Sequence, residues 1–213
     1  MFTGLIEALC IARSVRQSGE TMVLAVDLGK LTEDCKVGDS IAINGACLTI
    51  TRLQGTVADF DVSRETLEKS TLGKCTPSSQ VNVERAVKAN DRLGGHFVSG
   101  HIDGTAKITS IKKQGNFAEM KFAADPELID KMIAKGSVAV DGISLTIADM
   151  DKNSFSVAVI PETLKKTTLG NAKIEDKVNI ETDLIVKTIK KHLDNILPTQ
   201  ETLTAEKLKQ LGF

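Results

Sequence analysis

The stretch Asn44-Gly45-Ala46-Cys47-Leu48-Thr49-Ile50 decides the fold, because it occurs again as Asp141-Gly142-Ile143-Ser144-Leu145-Thr146-Ile147. The second stretch follows the first by 97 residues (141 − 44 = 97). Three further pairs of blocks recur at this offset: Glu65-Thr66-Leu67 with Glu162-Thr163-Leu164, Thr71-Leu72-Gly73 with Thr168-Leu169-Gly170, and Val81-Asn82-Val83-Glu84 with Val178-Asn179-Ile180-Glu181. Thr3-Gly4 matches Ser99-Gly100 at an offset of 96, so one residue was gained between the copies. The chain therefore consists of two copies of one unit.

The two copies divide the chain into three parts. We expect a first unit over residues 1–96, a second over residues 97–184, and a terminal segment over residues 185–213. Gly94-Gly95 supplies a flexible break near the junction of the two units.

Each copy has the pattern of short β-strands. Residues 40–43 and 48–51 alternate in side-chain character around Asn44-Gly45, a pair typical of tight hairpin turns. Further strands are predicted at residues 21–27, 56–62, 81–84, 117–123, 137–140, 145–149, 155–159 and 178–181. Short, evenly spaced strands without long intervening helices favour a mainly β fold with one small closed antiparallel barrel per copy.

Two helices are predicted. The first covers residues 126–134, with Asp125 as its cap and Gly136 just beyond its end. The second lies in the terminal segment and ends at Pro198. Its apolar residues are spaced by 3, 4 and 3 positions and form one stripe: Val186, Ile189, Leu193 and Ile196. This stripe packs either on its own barrel or against the same helix of other subunits, because about three turns are marginal alone.

The composition excludes several classes of function. The 27 Lys and Arg nearly balance the 28 Asp and Glu, so neither half has the positive field that a nucleic-acid backbone requires. No apolar run approaches the roughly 20 residues that span a bilayer, and no secretory signal is visible. The 4 cysteines fit neither a zinc site nor a compact disulfide scaffold. We therefore expect a cytoplasmic protein with reduced thiols, no bound metal, and no nucleic-acid or membrane partner.

The repeated turn places small polar residues on one face of each copy. Because side chains alternate along a strand and the branched residues of the turn must fill the barrel, the others face outward. These outward residues are Cys47 and Thr49 in the first copy, and Ser144 and Thr146 in the second. Small outward donors suit hydrogen bonds to a heterocycle, although outward Ser and Thr on a strand are more often only solvated.

The histidines and Cys47 have both functional and structural interpretations. His96 and His101 are five residues apart, which on a strand places them on opposite faces and disfavours a chelating pair. His101 serves either as a general base or as a partner in one structural hydrogen bond. His192 falls on the terminal helix, where we expect it to be solvated. Cys47 is either a nucleophile, if its thiolate is favoured, or inert packing.

The two copies differ at positions where chemistry is expected. The unlike pairs are Asn44 and Asp141, Cys47 and Ser144, Leu5 and His101, Asp61 and Ala158, and Arg64 and Pro161. Two similar cavities with unlike groups indicate that two molecules of one ligand are handled differently.

Several segments together carry a family resemblance. The chain opens with Met1-Phe2-Thr3-Gly4, and the repeated turns are accompanied by Gly94-Gly95-His96-Phe97-Val98-Ser99-Gly100-His101 and Ile160-Pro161-Glu162-Thr163. In this combination the chain resembles the riboflavin synthase family, alpha-chain type, in register over about residues 1–197. The resemblance implies two similar six-stranded antiparallel Greek-key barrels in tandem plus a carboxy-terminal α-helix, assembled as a homotrimer through those helices.

The resemblance also implies an activity. Two molecules of 6,7-dimethyl-8-ribityllumazine exchange a four-carbon unit, which gives riboflavin and 5-amino-6-(ribitylamino)uracil without a metal or an organic cofactor. The site is implied to lie between the first barrel of one subunit and the second barrel of its neighbour. Ala46 stands where some members carry a second cysteine.

The residues implied by the resemblance fall into three sets. Those implied in turnover are Phe2, Ser40, Cys47, His101, Asp141, Ser144 and Thr146. One lumazine is implied to contact Gly4, Leu5, Ile6, Cys47, Leu48, Thr49, Asp61, Val62, Ser63, Arg64, Glu65 and Thr66. The other is implied to contact Gly100, His101, Ile102, Lys135, Ser144, Leu145, Thr146, Ala158, Val159, Ile160, Pro161, Glu162 and Thr163.

Two other functions remain open from the sequence. A non-catalytic lumazine or flavin carrier on the same tandem barrel would keep the ligand contacts and dispense with the reactive groups. A flavin-dependent reductase barrel would require a nicotinamide-binding domain, and no fingerprint of one is present.

Overall fold

A computed structural model describes residues 1–196 of the chain. The strands of the first barrel are β1 (Ala8–Ser18), β2 (Thr21–Asp27), β3 (Ser40–Ile43), β4 (Ala46–Gln54), β5 (Val57–Val62) and β6 (Gln80–Arg85). Those of the second barrel are β7 (Gly104–Gln114), β8 (Phe117–Ala123), β9 (Ser137–Val140), β10 (Ile143–Met150), β11 (Ser154–Val159) and β12 (Lys177–Thr182). The α-helices are α1 (Arg64–Lys69), α2 (Pro126–Ile129), α3 (Pro161–Lys166) and α4 (Leu184–Ile196), and short 3-10 helices cover Gly29–Asp34, Thr71–Lys74 and Thr168–Gly170.

Both barrels are closed and share one topology. The strands of the first barrel follow each other in the order β1-β2-β5-β4-β3-β6, and the second barrel has the equivalent order β10-β11-β8-β7-β12-β9. β3, β4 and β5 are neighbours in sequence and in space, while β6 returns to pair with β3, which is the Greek-key connection. The predicted fold of two six-stranded antiparallel barrels is confirmed.

Each barrel has its own apolar core. The predicted alternation is confirmed on β4, where Leu48 and Ile50 are buried, and on β10, where Ile147 is buried and Leu145 packs partly against the core. In the second barrel, Phe122 and Phe155 stack with ring centroids 5.1 Å apart. The opposite faces of β4 and β10 are therefore free to take part in a site.

The sequence pattern missed the first strand of each copy. β1 and β7 are each 11 residues long, and each carries a register shift, between Ala12 and Ser14 in β1 and between Ile108 and Ser110 in β7. A bulge of this kind breaks the period-two alternation that identifies a strand. Both strands also extend past the core into solvent, so their final residues are polar.

The predicted helix at residues 126–134 is wrong in length. Asp125 caps its start as predicted, because its side chain accepts a hydrogen bond from the Glu127 amide, but the helix ends at Ile129. The chain then turns so that Met132 also enters the core, and Lys135 adopts a positive φ of 65° before β9. The chain therefore buries these residues in irregular turns instead of continuing the helix.

The two barrels meet across a local two-fold axis. Asn82 donates from Nδ2 to the Asp141 carbonyl oxygen at 2.9 Å, and Asn179 donates in the same way to the Asn44 carbonyl oxygen at 2.8 Å. Gly45 and Gly142 approach each other so closely that a Cβ on either would lie within 2.7–2.9 Å of the other's backbone. The repeated turns are therefore packed directly against each other.

The first residues of each copy cross to the opposite barrel. Phe2 and Val98 form an antiparallel bridge, the Ser144 amide donates to the Gly4 carbonyl at 2.8 Å, and the Cys47 amide donates to the Gly100 carbonyl at 2.9 Å. Ile6 consequently packs against the core of the second barrel and Ile102 against the core of the first. We call residues 3–6 and 99–102 the crossing segments.

Buried carboxylates hold the crossing segments in place. Glu84 on β6 accepts hydrogen bonds from the Thr3 amide, the Thr3 hydroxyl and the Gly4 amide, at 2.6, 2.7 and 3.0 Å. Glu181 on β12 does the same for Ser99 and Gly100. Burial raises the pKa of Glu84, and the hydrogen bonds from Thr3 and Gly4 oppose that shift.

Helix α4 leaves part of its predicted apolar stripe uncovered. Lys187 pairs with Asp103 at 2.8 Å and Lys190 pairs with Asp130, which fixes one face of the helix to the second barrel. Ile189 and Leu193 are 55% and 48% exposed. Pro198, predicted to end the helix, lies outside the described residues. Within residues 1–196 no helix is both long and apolar enough to span a membrane.

Candidate active site

A cleft of about 360 Å³ lies where one crossing segment meets β4. We call it the first cradle, and its lining residues are Ala46, Cys47, Glu65, Thr66, Lys69, Gly100, His101 and Ile102. Gly100 has a φ of 85°, and a Cβ at this position would overlap the side chain of Cys47, so glycine permits the close approach. The backbone hydrogen bond from Cys47 to Gly100 then places His101 at the rim.

The first cradle is polar and contains several titratable groups. Helix α1 forms one wall, and Ser63 caps it by accepting a hydrogen bond from the Thr66 amide. The hydrogen bond from Lys69 lowers the pKa of Glu65, and the nearby His101 lowers it further. The site therefore presents a thiol, an imidazole and an ion pair around one opening, which suits proton transfer to or from a bound ring.

The repeat generates a second cradle around Ser144. Gly4 lies against the Ser144 backbone as Gly100 lies against Cys47, and α3 replaces α1. Leu5 and Ile160 are each 51% exposed at this site, where the first cradle has His101 and Ser63. At these two positions the second cradle therefore offers apolar contact area, whereas the first offers polar groups.

The crossing segments correct the predicted division of the contact residues between two ligands. The family resemblance implies one ligand at Gly4, Leu5 and Ile6 together with Cys47, and the other at Gly100, His101 and Ile102 together with Ser144. This grouping is wrong, because each segment crosses to the opposite barrel: Gly100 bonds to Cys47 and Gly4 bonds to Ser144. Each cradle is thus built from both halves of the chain.

Comparison with known proteins identifies the family. The sequence profile of the lumazine binding domain matches residues 3–86 and again residues 99–183. The riboflavin synthase of Bacillus subtilis (strain 168) is 42% identical over 215 residues, which cover 100% of both chains. The chain belongs to the riboflavin synthase family. Riboflavin synthases of Actinobacillus pleuropneumoniae and Escherichia coli (strain K12) are 43% and 36% identical, over 100% and 94% of this chain and 100% and 95% of theirs.

Solved structures support the fold of this riboflavin synthase family member. LumP complexed with 6,7-dimethyl-8-(1'-D-ribityl) lumazine matches with a TM-score of 0.78 at 21% identity, over 85% of this chain and 99% of LumP. LumP complexed with riboflavin matches with a TM-score of 0.80 at 22% identity, over the same shares of the two chains. At this level of identity the likeness is one of architecture.

Some residues implied by the family resemblance are buried rather than open to a ligand. Phe2 is fully buried beneath Gly100, in a small cluster with Val98. Asp141 lies in the contact between barrels, where desolvation raises the pKa of its carboxyl to about 7. The side chains of Leu48, Val62 and Val159 point into the cores of the barrels.

Other residues implied by the family resemblance lie at the surface around the cradles. Thr49, Thr146, Asp61 and Ala158 are exposed on β4, β10, β5 and β11. Arg64 and Glu162 are held in ion pairs on α1 and α3, and the Lys135 ammonium donates to the Ala148 carbonyl at 2.7 Å. Ser40 is separate: it lines another cleft, of about 540 Å³, together with Thr3, Leu5 and Glu84.

The histidine interpretation requires correction. Neither His96 nor His101 lies in a strand, so their separation does not set their faces. His96, which was not among the predicted site residues, is buried beside Ser144 in the second cradle. The matched repeat blocks did not mark it, because it lies in the junction between the two copies. Among residues 1–196, no group of three or more His, Cys, Asp or Glu side chains is placed to hold a metal ion.

Proposed function

We propose that this chain is a riboflavin synthase. It converts two molecules of 6,7-dimethyl-8-ribityllumazine into riboflavin and 5-amino-6-(ribitylamino)uracil by transfer of a four-carbon unit. The atoms of the two substrates equal those of the two products, so the overall reaction consumes no external oxidant or reductant.

The observation that carries this proposal is the pair of like-built cradles with unlike groups, in a chain related to riboflavin synthases over its full length. A dismutation needs two sites that accept the same molecule and treat it differently. The backbone frame is shared, as shown by the matching bonds of Cys47 to Gly100 and Ser144 to Gly4. The exposed groups differ, with His101 in one cradle and Leu5 in the other.

The chemistry begins at a methyl group of one lumazine, whose protons are acidified by the electron-poor ring. A base removes one of these protons and leaves a carbanion, and His101 at the rim of the first cradle is the base we propose. A nucleophile, either water near His101 or the Cys47 thiol, adds to the partner ring. The carbanion then attacks this ring, ring opening and closure transfer the four carbons, and the nucleophile and proton are returned.

The protein contributes mainly by orientation. Two flat rings held face to face react as if within one molecule, which removes much of the entropic barrier. Thr49, Thr146 and Ser144 face outward on β4 and β10, where they donate to polar ring edges. The predicted contact residues keep their roles in this proposal. Residues 100–102 belong with Cys47 in the first cradle, and residues 4–6 belong with Ser144 in the second.

We propose a homotrimer in which the first cradle of one subunit faces the second cradle of its neighbour. Two substrates then stack across the subunit contact. Support comes from helix α4, whose Ile189 and Leu193 are exposed in the single chain and would be covered by the same helix of other subunits. We further propose residues 1–96 and 97–184 as the two lumazine-binding units, residues 185–213 as the assembly segment, and the cytoplasm as the location.

A second candidate is a lumazine or flavin carrier without activity. The structural match to LumP complexes favours it, because LumP has the same tandem-barrel architecture. The first cradle keeps groups that a carrier does not need, namely Cys47 and His101. We therefore rank the enzyme first.

The deciding experiment is incubation of the purified protein with 6,7-dimethyl-8-ribityllumazine alone. The enzyme produces riboflavin and 5-amino-6-(ribitylamino)uracil in equal amounts, followed by absorbance and chromatography. A stable complex with no riboflavin formed identifies the carrier instead. Repeating the assay with Cys47→Ser separates the two nucleophiles, because an unaltered rate leaves only water.

A further inference from the structure

His96 is placed against Ser144 in the second cradle. The residue is only 8% exposed, and its Nδ1 lies 2.7 Å from Ser144 Oγ, which is hydrogen-bonding distance. Its other ring nitrogen, Nε2, is the one buried side-chain nitrogen or oxygen atom without a hydrogen-bond partner in residues 1–196. A buried polar atom left without a partner is destabilising, so this placement requires a reason other than stability.

The backbone around His96 is built to bring the ring to this position. The His96 amide donates to the Thr3 carbonyl at 3.1 Å. A Cβ on the preceding Gly95 would overlap that carbonyl and lie 3.0 Å from Ser144 Oγ. Only glycine at position 95 lets the junction pass between the crossing segment and Ser144.

This arrangement exists in one cradle only. Within residues 1–196, Ser144 is hydrogen-bonded to an imidazole, whereas its counterpart Cys47 is not. The junction between the copies thus adds a difference that the repeat itself does not contain.

The position of the imidazole proton decides what Ser144 presents to a ligand. Burial lowers the pKa of His96, against the opposing charge of Asp183, so the ring is neutral near pH 7 and carries one N–H. If that proton were on Nε2, a buried donor would lack a partner. With the proton on Nδ1, the hydrogen bond to Ser144 Oγ uses the donor and leaves only a bare acceptor, which is the more tolerated defect.

We infer that His96 is a positioning residue for the second cradle: it donates from Nδ1 to Ser144 Oγ and thereby aims the Ser144 hydroxyl proton at the ligand. A hydroxyl whose proton points at the ligand donates a hydrogen bond to an acceptor, such as a carbonyl oxygen or an unprotonated nitrogen at the edge of a heterocycle. The inference rests on the proposed function for the identity of that heterocycle, and it assigns His96 a role in only one of the two sites.

A double-mutant cycle tests the inference. His96→Leu and Ser144→Ala should each weaken binding of riboflavin, used as the probe in a fluorescence titration, by about 5- to 10-fold, as expected for one neutral hydrogen bond. The double variant should bind riboflavin no more weakly than either single variant, because His96 acts on the ligand only through the Ser144 hydroxyl. His96→Asn places an amide nitrogen near the position of Nδ1 and should restore affinity to within about threefold.

Kinetic and spectroscopic measurements separate positioning from folding. A variant that is only partly folded lowers the apparent kcat with KM and Kd unchanged, whereas loss of positioning raises KM and Kd. Nitrogen NMR of ring-labelled histidine should show the His96 proton on Nδ1, with the signal identified by its absence in His96→Asn. Additive losses in the cycle, no loss in His96→Leu, or a proton on Nε2 would overturn the inference. If the wild-type protein forms no riboflavin from lumazine, the proposed function fails, while the binding cycle still decides the role of His96.

Discussion

Asn44 and Asp141 occupy equivalent positions in the two repeated turns, and both have a φ of 45°. Asn44 Oδ1 accepts a hydrogen bond from the Asn82 amide at 2.7 Å, and Asp141 Oδ1 accepts one from the Asn179 amide at 2.7 Å. The amide fits this buried position without charge, whereas the carboxyl must be protonated or lie ionised in a poorly solvated contact. The carboxyl oxygen that Asp141 has in place of the amide nitrogen of Asn44 therefore makes the contact between the barrels sensitive to pH.

The substitution Asp141→Asn should remove this sensitivity. The folded-state pKa of about 7 exceeds the ordinary value of 3.8, so the folded protein holds a proton that the unfolded chain releases. The free energy of unfolding of the wild type therefore falls as pH rises from about 4 to 7, by up to about 4 kcal/mol. Thermal unfolding should show equal stability of the two proteins at pH 4 and a higher Tm for Asp141→Asn at pH 8. A difference in Tm that is the same at both pH values would contradict this account.

His101 provides a catalytic prediction for the first cradle. The substitution His101→Gln keeps a polar side chain beside Glu65 but removes the ability to accept and return a proton. We expect kcat to fall about 100-fold, with KM changed less than about threefold, since general base catalysis contributes factors of this size. Steady-state kinetics with lumazine measure both constants, and His192→Gln on α4 is the matched control. A kcat within twofold of the wild type would remove His101 from the proton transfer.

The crossing segments are the elements on which both cradles depend. Gly100→Ala should destabilise the protein by more than about 2 kcal/mol, because the new methyl group meets Cys47 and the backbone has a positive φ. Gly19→Ala is the control: its φ is 62°, but nothing lies within 4 Å of the new Cβ, so only about 1 kcal/mol should be lost. Urea unfolding measures both losses. Equal losses would mean that the close approach of Gly100 to Cys47 does not affect the free energy of unfolding.

The same elements show which features the sequence could predict. The closed barrels, most strands and the outward faces of Cys47 and Ser144 were predictable, because they follow from a repeat and from alternation at short range. The pairing of Gly4 with Ser144 was not, since it rests on one backbone hydrogen bond between segments 140 positions apart (144 − 4 = 140). The role of His96 could not be predicted for a related reason, because this residue lies in the junction and outside the matched blocks of the repeat.

At the scale of the whole molecule, assembly through α4 is the feature to test. Replacing both Ile189 and Leu193 by Glu places charges on the exposed apolar stripe and should convert the proposed trimer to monomers. Turnover should fall with it, at least tenfold, because each site draws on two subunits. Analytical ultracentrifugation gives the mass, and Lys191→Glu, elsewhere on the helix surface, should remain a trimer. A fully active monomer would show that one chain suffices for catalysis.

The crossing segments, by which the first residues of each copy dock on the other barrel, indicate how such a protein arises. A lone barrel of this kind would leave its first residues without a partner, because Phe2 pairs with Val98 of the other copy. Two identical barrels related by a two-fold axis satisfy each other completely, as Asn82 and Asn179 still do across the axis. Joining the genes of such a pair end to end keeps every one of those bonds while freeing each half to diverge. A symmetric ancestor thereby becomes a single polypeptide whose halves have separate tasks.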